Sequence, residues 1–182
     1  SEMSEKTKGE LLKEQLIYSP ENAGILMSDE EIEKAQAFAD PYKVFLDNSK
    51  TERDAVKYTV SMIEKKGYQP FSPKKKYEAG AKIYYNNRDR AIIVATVGKR
   101  SLEEGVTILA AHIDSPRVDL KPRPLYEEAQ LALFKTHYYG GVKKYQWTAV
   151  PLALHGVVYK KDGSMVEVNI GEDEKDPVFV IN

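Results

Sequence analysis

The chain has 182 residues, 42% of them hydrophobic and 30% charged, which is the composition of a globular protein of one ordinary domain or two small ones. Its 27 basic and 28 acidic side chains leave a formal net charge of −1, so no electrostatic excess points to a nucleic acid or a membrane surface as partner. Cysteine is absent, which excludes disulfides and thiolate metal sites; any metal here must be held by His, Asp or Glu.

In chain order, Ser1-Glu2 ahead of Met3 reads as a cloning scar, and the first residues lack the apolar region of a signal peptide. No stretch approaches the roughly 20 apolar residues of a membrane span, so a cytoplasmic location is expected. Residues 4–27 read as a short helix or an ordered arm, with Leu11, Leu12, Leu16, Ile17 and Tyr18 as a loose apolar set. Ser28 followed by Glu31 has the form of a capping box. It predicts a helix that carries Ile32, Ala35, Phe38 and Ala39 on one face, with Asp40-Pro41 as a kink point. Thr51-Glu52-Arg53-Asp54 opens a second helix, in which Ala55, Tyr58, Thr59, Met62 and Ile63 recur at helical spacing. Gly67 stands where a C-terminal cap belongs.

The pattern then changes from period 3.6 to strands. Residues 82–85 and 91–97 flank Asn86-Asn87-Arg88-Asp89 and predict a hairpin. The apolar run Val106–Ala111 suits a strand buried on both faces in the centre of an α/β sheet, leading into His112-Ile113-Asp114-Ser115-Pro116. Lys121-Pro122-Arg123-Pro124 reads as a stiff, strand-excluding segment, and a domain boundary is expected between Arg117 and Pro124. Beyond it the chain reads as all-β. Strands are expected from Leu131 and from Leu152 to Tyr159, and another carries Val166, Val168 and Ile170, with Asp162-Gly163 as the hairpin signal between the last two.

The chemistry centres on His112 and Asp114. On a strand, residues two apart share a face, and sites gather where strands of α/β sheets end. A ligating histidine needs its second ring nitrogen held by a carboxylate or carbonyl. His-x-Asp here is therefore either a metal half-site or a satisfied histidine at a strand end with Asp114 capping the turn into Ser115-Pro116. Arg117 is either a group that attracts a substrate carboxylate or a salt-bridge partner. His137, beside Gly140-Gly141, is either a polar strand residue or a side chain that reaches a neighbouring subunit's site. His155 reads as structural. Glu103-Glu104, Glu127-Glu128, Lys74-Lys75-Lys76 and the acidic run Glu172–Asp176 read as solvated loops.

The stretch Ala111-His112-Ile113-Asp114-Ser115-Pro116, continuing to Pro122, resembles the aspartyl aminopeptidase family, which includes vacuolar aminopeptidase I. Thr136-His137-Tyr138-Tyr139-Gly140-Gly141, Trp147 and Pro151-Leu152-Ala153-Leu154-His155-Gly156 resemble its second motif region, and the similarity runs in order over residues 20–182. The resemblance implies an α/β fold: the N-terminal part of a zinc-aminopeptidase-like α/β domain in residues 1–117. An inserted, mostly antiparallel β domain used for dimerisation would begin in residues 118–182.

It implies a metal-dependent aminopeptidase that removes acidic or neutral N-terminal residues from peptides, with two zinc ions or other divalent metals. It also implies homo-oligomers built from dimers, up to dodecamers. His112 falls on the family's first metal ligand, and Asp114 on the catalytic acidic residue that supports it; Arg117 and His137 are the candidate substrate contacts. The remaining ligands and the general base lie, in the family, after the inserted domain. They are expected on sequence beyond Asn182, in a C-terminal part that this chain would need as a partner, so the 182 residues alone are expected to be inactive. The competing expectation is a stand-alone interaction module in which His112 is structural.

Overall fold

The computed structural model describes residues 6–181; the Ser1-Glu2 scar reading and Asn182 lie outside the described residues. The chain divides into two compact units, residues 1–44 and residues 45–182.

The first unit is helical. Helix α1 (Lys8–Leu16) starts at a capping box in which Thr7 and Glu10 exchange side-chain and backbone hydrogen bonds. A single turn, α2 (Ala23–Leu26), follows with Asn22 as its cap. Helix α3 (Asp29–Asp47) begins at the predicted box: Ser28 Oγ accepts from the Glu31 amide at 3.3 Å, and Glu31 accepts from the Ser28 amide at 2.8 Å. Pro41 lies inside α3. It removes one backbone donor from the helix interior, yet the helix runs on to Asp47.

The second unit is organised around helix α4 (Glu52–Glu64), whose Thr51 cap is locked by Asp54 in a third reciprocal box. Gly67, at φ 84°, ends the turn after it, where a left-handed residue lets the Gly67 and Tyr68 amides reach back to Glu64 and Ile63. Strands β1 (Gln69–Pro70), β2 (Lys82–Asn87) and β3 (Ala91–Thr96) form one small sheet, β1 parallel and β3 antiparallel to β2. Ala55 and Val56 on α4 and Tyr84 on β2 are the buried apolar side chains among the described residues. Tyr84 ties the two layers together by donating its hydroxyl to Glu64 at 2.6 Å. The predicted β2–β3 hairpin is present, its turn closed by Asn86 and Asp89.

Two antiparallel hairpins follow. Strand β4 (Arg117–Glu128) pairs with β5 (Leu131–Tyr139) through a tight turn at Ala129-Gln130, and β6 (Leu154–Tyr159) pairs with β7 (Met165–Ile170) across the predicted Asp162-Gly163 turn. Between β5 and β6 lies one helical turn, α5 (Lys144–Trp147).

Three expectations are corrected. Residues 121–124 do not exclude a strand: β4 runs through them. The register slips between Leu120, opposite Thr136, and Leu125, opposite Phe134, with Arg123 at φ 54°. A bulge takes Pro122 and Pro124 out of the ladder, so their missing donors cost no strand bond. Glu127 and Glu128 accordingly belong to β4 and not to a loop, although they are exposed. Val106–Ala111 forms no strand among the described residues and is exposed, Leu109 at 96%. A continuous apolar run becomes a buried central strand only when neighbours supply its ladder and cover its faces, and among the described residues this run has neither.

Candidate metal centre

His112 and Asp114 sit on the extended connection between the Val106–Ala111 run and β4, not on a strand, yet they meet as expected. His112 Nδ1 lies 2.8 Å from Asp114 Oδ1 and 2.9 Å from the Asp114 carbonyl oxygen. Both partners are acceptors. In the neutral ring the proton is therefore on Nδ1, and Nε2 keeps its lone pair. The His112 side chain is 82% exposed.

The carboxylate of Asp114 has a second partner. Tyr139, the last residue of β5, donates its hydroxyl to Asp114 Oδ2 at 2.6 Å. This hydrogen bond, and then that from His112, hold the Asp114 carboxyl below the usual carboxylate range, while Asp114 pushes the Tyr139 phenol up. Gly140, directly after Tyr139, turns at φ 75°, a left-handed torsion that favours glycine.

Arg117, the first residue of β4, faces inward to this network. Its Nε donates to Asp119 at 2.7 Å and its Nη1 to Glu52 on α4 at 3.1 Å, and its guanidinium lies 4.0 Å from the centre of the Tyr139 ring. Partial burial works against its charge, but the Asp119 hydrogen bond and the field of Glu52 outweigh it and hold the group above its ordinary range. His137 is exposed, opposite Asp119 in the β4–β5 ladder, with its ring edge-on to Tyr138. His155 pairs with Glu172 at 2.8 Å on the other hairpin and takes no part in the site.

Sequence reasoning thus finds the His112–Asp114 pair and misses Tyr139 and Glu52. Tyr139 has a faint signal, an aromatic at a strand end directly before Gly140-Gly141; Glu52 has none, because it reaches Arg117 across 65 positions.

As a metal site the arrangement is partial. One imidazole nitrogen with its orienting carboxylate fits a single ligand of a zinc centre. Among the described residues no three His, Asp or Glu side chains converge to hold an ion. An open groove of about 700 Å³ between α4 and the β6–β7 hairpin, lined by Asp54, Lys57, His155 and Glu167 among others, contains neither His112 nor Asp114. No helix among the described residues is long and apolar enough to cross a membrane.

Comparison with known proteins supplies the class. The family model described as "Aminopeptidase I zinc metalloprotease (M18)" matches residues 45–182. A curated relative from Clostridium acetobutylicum, "Probable M18 family aminopeptidase 1", is 45% identical over 92% of this chain and 37% of its own length. The crystal structure of aminopeptidase I from Borrelia burgdorferi B31 superposes with a TM-score of 0.82 at 43% identity, covering 88% of this chain and 40% of that one. A Saccharomyces aminopeptidase dodecamer shares the fold at 22% identity and a TM-score of 0.62, over 76% of this chain and 34% of that one. The chain belongs to the M18 aminopeptidase family. It spans well under half the length of these relatives.

Proposed function

We propose that this chain is the N-terminal portion of a metal-dependent aminopeptidase that releases N-terminal residues, acidic or neutral, from peptides. The observation that carries the reading is the 2.8 Å contact between His112 Nδ1 and Asp114 Oδ1 in a chain of this family. In the complete enzyme His112 would present Nε2 to one of two zinc ions. Asp114 would fix the ring's tautomer and orientation and raise its basicity. Zinc held there would supply Lewis-acid polarisation of the scissile carbonyl and an activated water. The other ligands and the general base would come from the remaining C-terminal part.

In this reading residues 1–117 are the N-terminal part of the peptidase domain and residues 118–182 begin the inserted β domain. The β4–β5 hairpin, with Leu125 and Leu131 exposed, would then take part in a homo-oligomer built from dimers; the yeast relative is a dodecamer. His137, exposed on that hairpin, is available to a neighbouring copy's substrate. Arg117 has its guanidinium committed to Glu52 and Asp119, so we assign it to holding the site together in preference to binding a substrate carboxylate. A cytoplasmic location accords with the cysteine-free composition.

The test compares the 182-residue chain with the complete protein on peptides of varied N-terminus, each supplied with zinc, cobalt or manganese. Turnover by the complete protein alone is expected. Turnover by the 182-residue chain would overturn the assignment of the missing ligands to a C-terminal part.

A further inference from the structure

We propose that Tyr139 is a positioning residue of the metal centre: its hydroxyl fixes the Asp114 carboxylate, which in turn holds His112 in the tautomer that offers Nε2 to zinc. The inference rests on the reading of His112 as a zinc ligand and extends the site by one residue, 25 positions away in the chain.

The two oxygens of Asp114 have separate duties. Oδ1 faces His112 Nδ1 at 2.8 Å and Oδ2 accepts from Tyr139 at 2.6 Å. Asp114 lies on a connection with no ladder of its own. Left with His112 alone, its carboxylate would be free to rotate about χ2, a broad torsion, and the ring would keep the Asp114 carbonyl oxygen, 2.9 Å from Nδ1, but lose its fixed side-chain acceptor. Tyr139, by contrast, is held twice over. It is paired with Arg117 in the β4–β5 register, and the Arg117 guanidinium, anchored by Glu52 and Asp119, covers its ring at 4.0 Å. Rigidity therefore passes from the hairpin and α4 through Tyr139 to the one side chain that sets the ligand.

Tyr138 serves as the internal contrast. Strand alternation sends its ring to the other face, where Lys144 lies 4.3 Å from its centre. It does not touch Asp114.

A simple structural staple between the hairpin and the 112–116 connection would alter stability and leave the metal alone, so the test reads the metal. Tyr139→Phe and Tyr138→Phe are made in the complete enzyme that contains this sequence. Zinc affinity is measured by chelator competition, and the visible spectrum is recorded after cobalt substitution. Removal of the Tyr139 hydroxyl is expected to weaken zinc binding about 10- to 100-fold, shift the cobalt bands, and lower kcat with KM nearly constant; Tyr138→Phe is expected to match the parent. Gly140→Ala keeps the hydroxyl but strains the turn that delivers it, and is expected to move the same readouts in the same direction; it decides the matter if Tyr139→Phe does not fold. Parental zinc affinity and cobalt spectrum in these variants would overturn the inference, whatever happens to Tm. His112→Ala in the same titration separates the two levels. If it loses zinc while Tyr139→Phe does not, only the role of Tyr139 falls; if it keeps zinc, the reading of His112 falls first.

Discussion

At the scale of residues, what can be read from sequence is what is local. His112 and Asp114 are two positions apart, and any extended backbone brings them to one side; the pair is legible even though the strand expected to carry it is absent. Tyr139 and Glu52 are not legible, because their contacts depend on where a hairpin and a helix come to rest. The same holds in the small core. Tyr84 donates to Glu64 across 20 positions, and that hydrogen bond, aided by burial, pushes the phenol up. Tyr84→Phe is expected to cost about 1 kcal/mol in urea unfolding of the dilute chain. The sign of the pH effect follows from the raised value. The folded state holds the phenolic proton more tightly than the unfolded one. The stabilisation is thus complete below the ordinary tyrosine range and is lost as pH rises from about 10. A stability profile of Tyr84→Phe that falls with pH as steeply as the parent's above that point would contradict the assignment.

Elements were legible where their signals are side-chain caps and turn residues. Ser28 with Glu31, Gly67 after α4 and Asp162-Gly163 all mark real boundaries, because each satisfies a backbone group or a left-handed torsion within a few residues. The Thr51 box is the one with most to lose, since α4 carries Ala55 and Val56. Thr51→Ala should destabilise the second unit by about 1 kcal/mol, and Thr51→Ser should restore most of it; equal stability of Thr51→Ala and the parent would show that the box contributes nothing. Strand β4 was the element least legible. The rule that proline ends a strand assumes an unbroken ladder, and the slip between Leu120 and Leu125 breaks it.

For the whole molecule, the decisive feature is apolar surface without cover. Val106, Ile108 and Leu109 are exposed at 63%, 77% and 96% on a segment with no strand partner. Composition cannot reveal this, because the run looks like any central strand; no described residue covers it. The isolated chain is therefore expected to self-associate. Light scattering should show particle size rising with concentration, and addition of the C-terminal part of the enzyme should suppress the rise. A monomer at all concentrations with a sharp, reversible melt would contradict this.

The most direct measurement is the zinc content of the complete protein with His112 intact and in His112→Ala. Two ions per chain are expected in the parent, and in the variant the loss of at least one ion together with a loss of activity far greater than any change in Tm. A His112→Ala protein that retains its full zinc content and its peptidase activity would contradict the account, and His112 would then be a satisfied surface histidine.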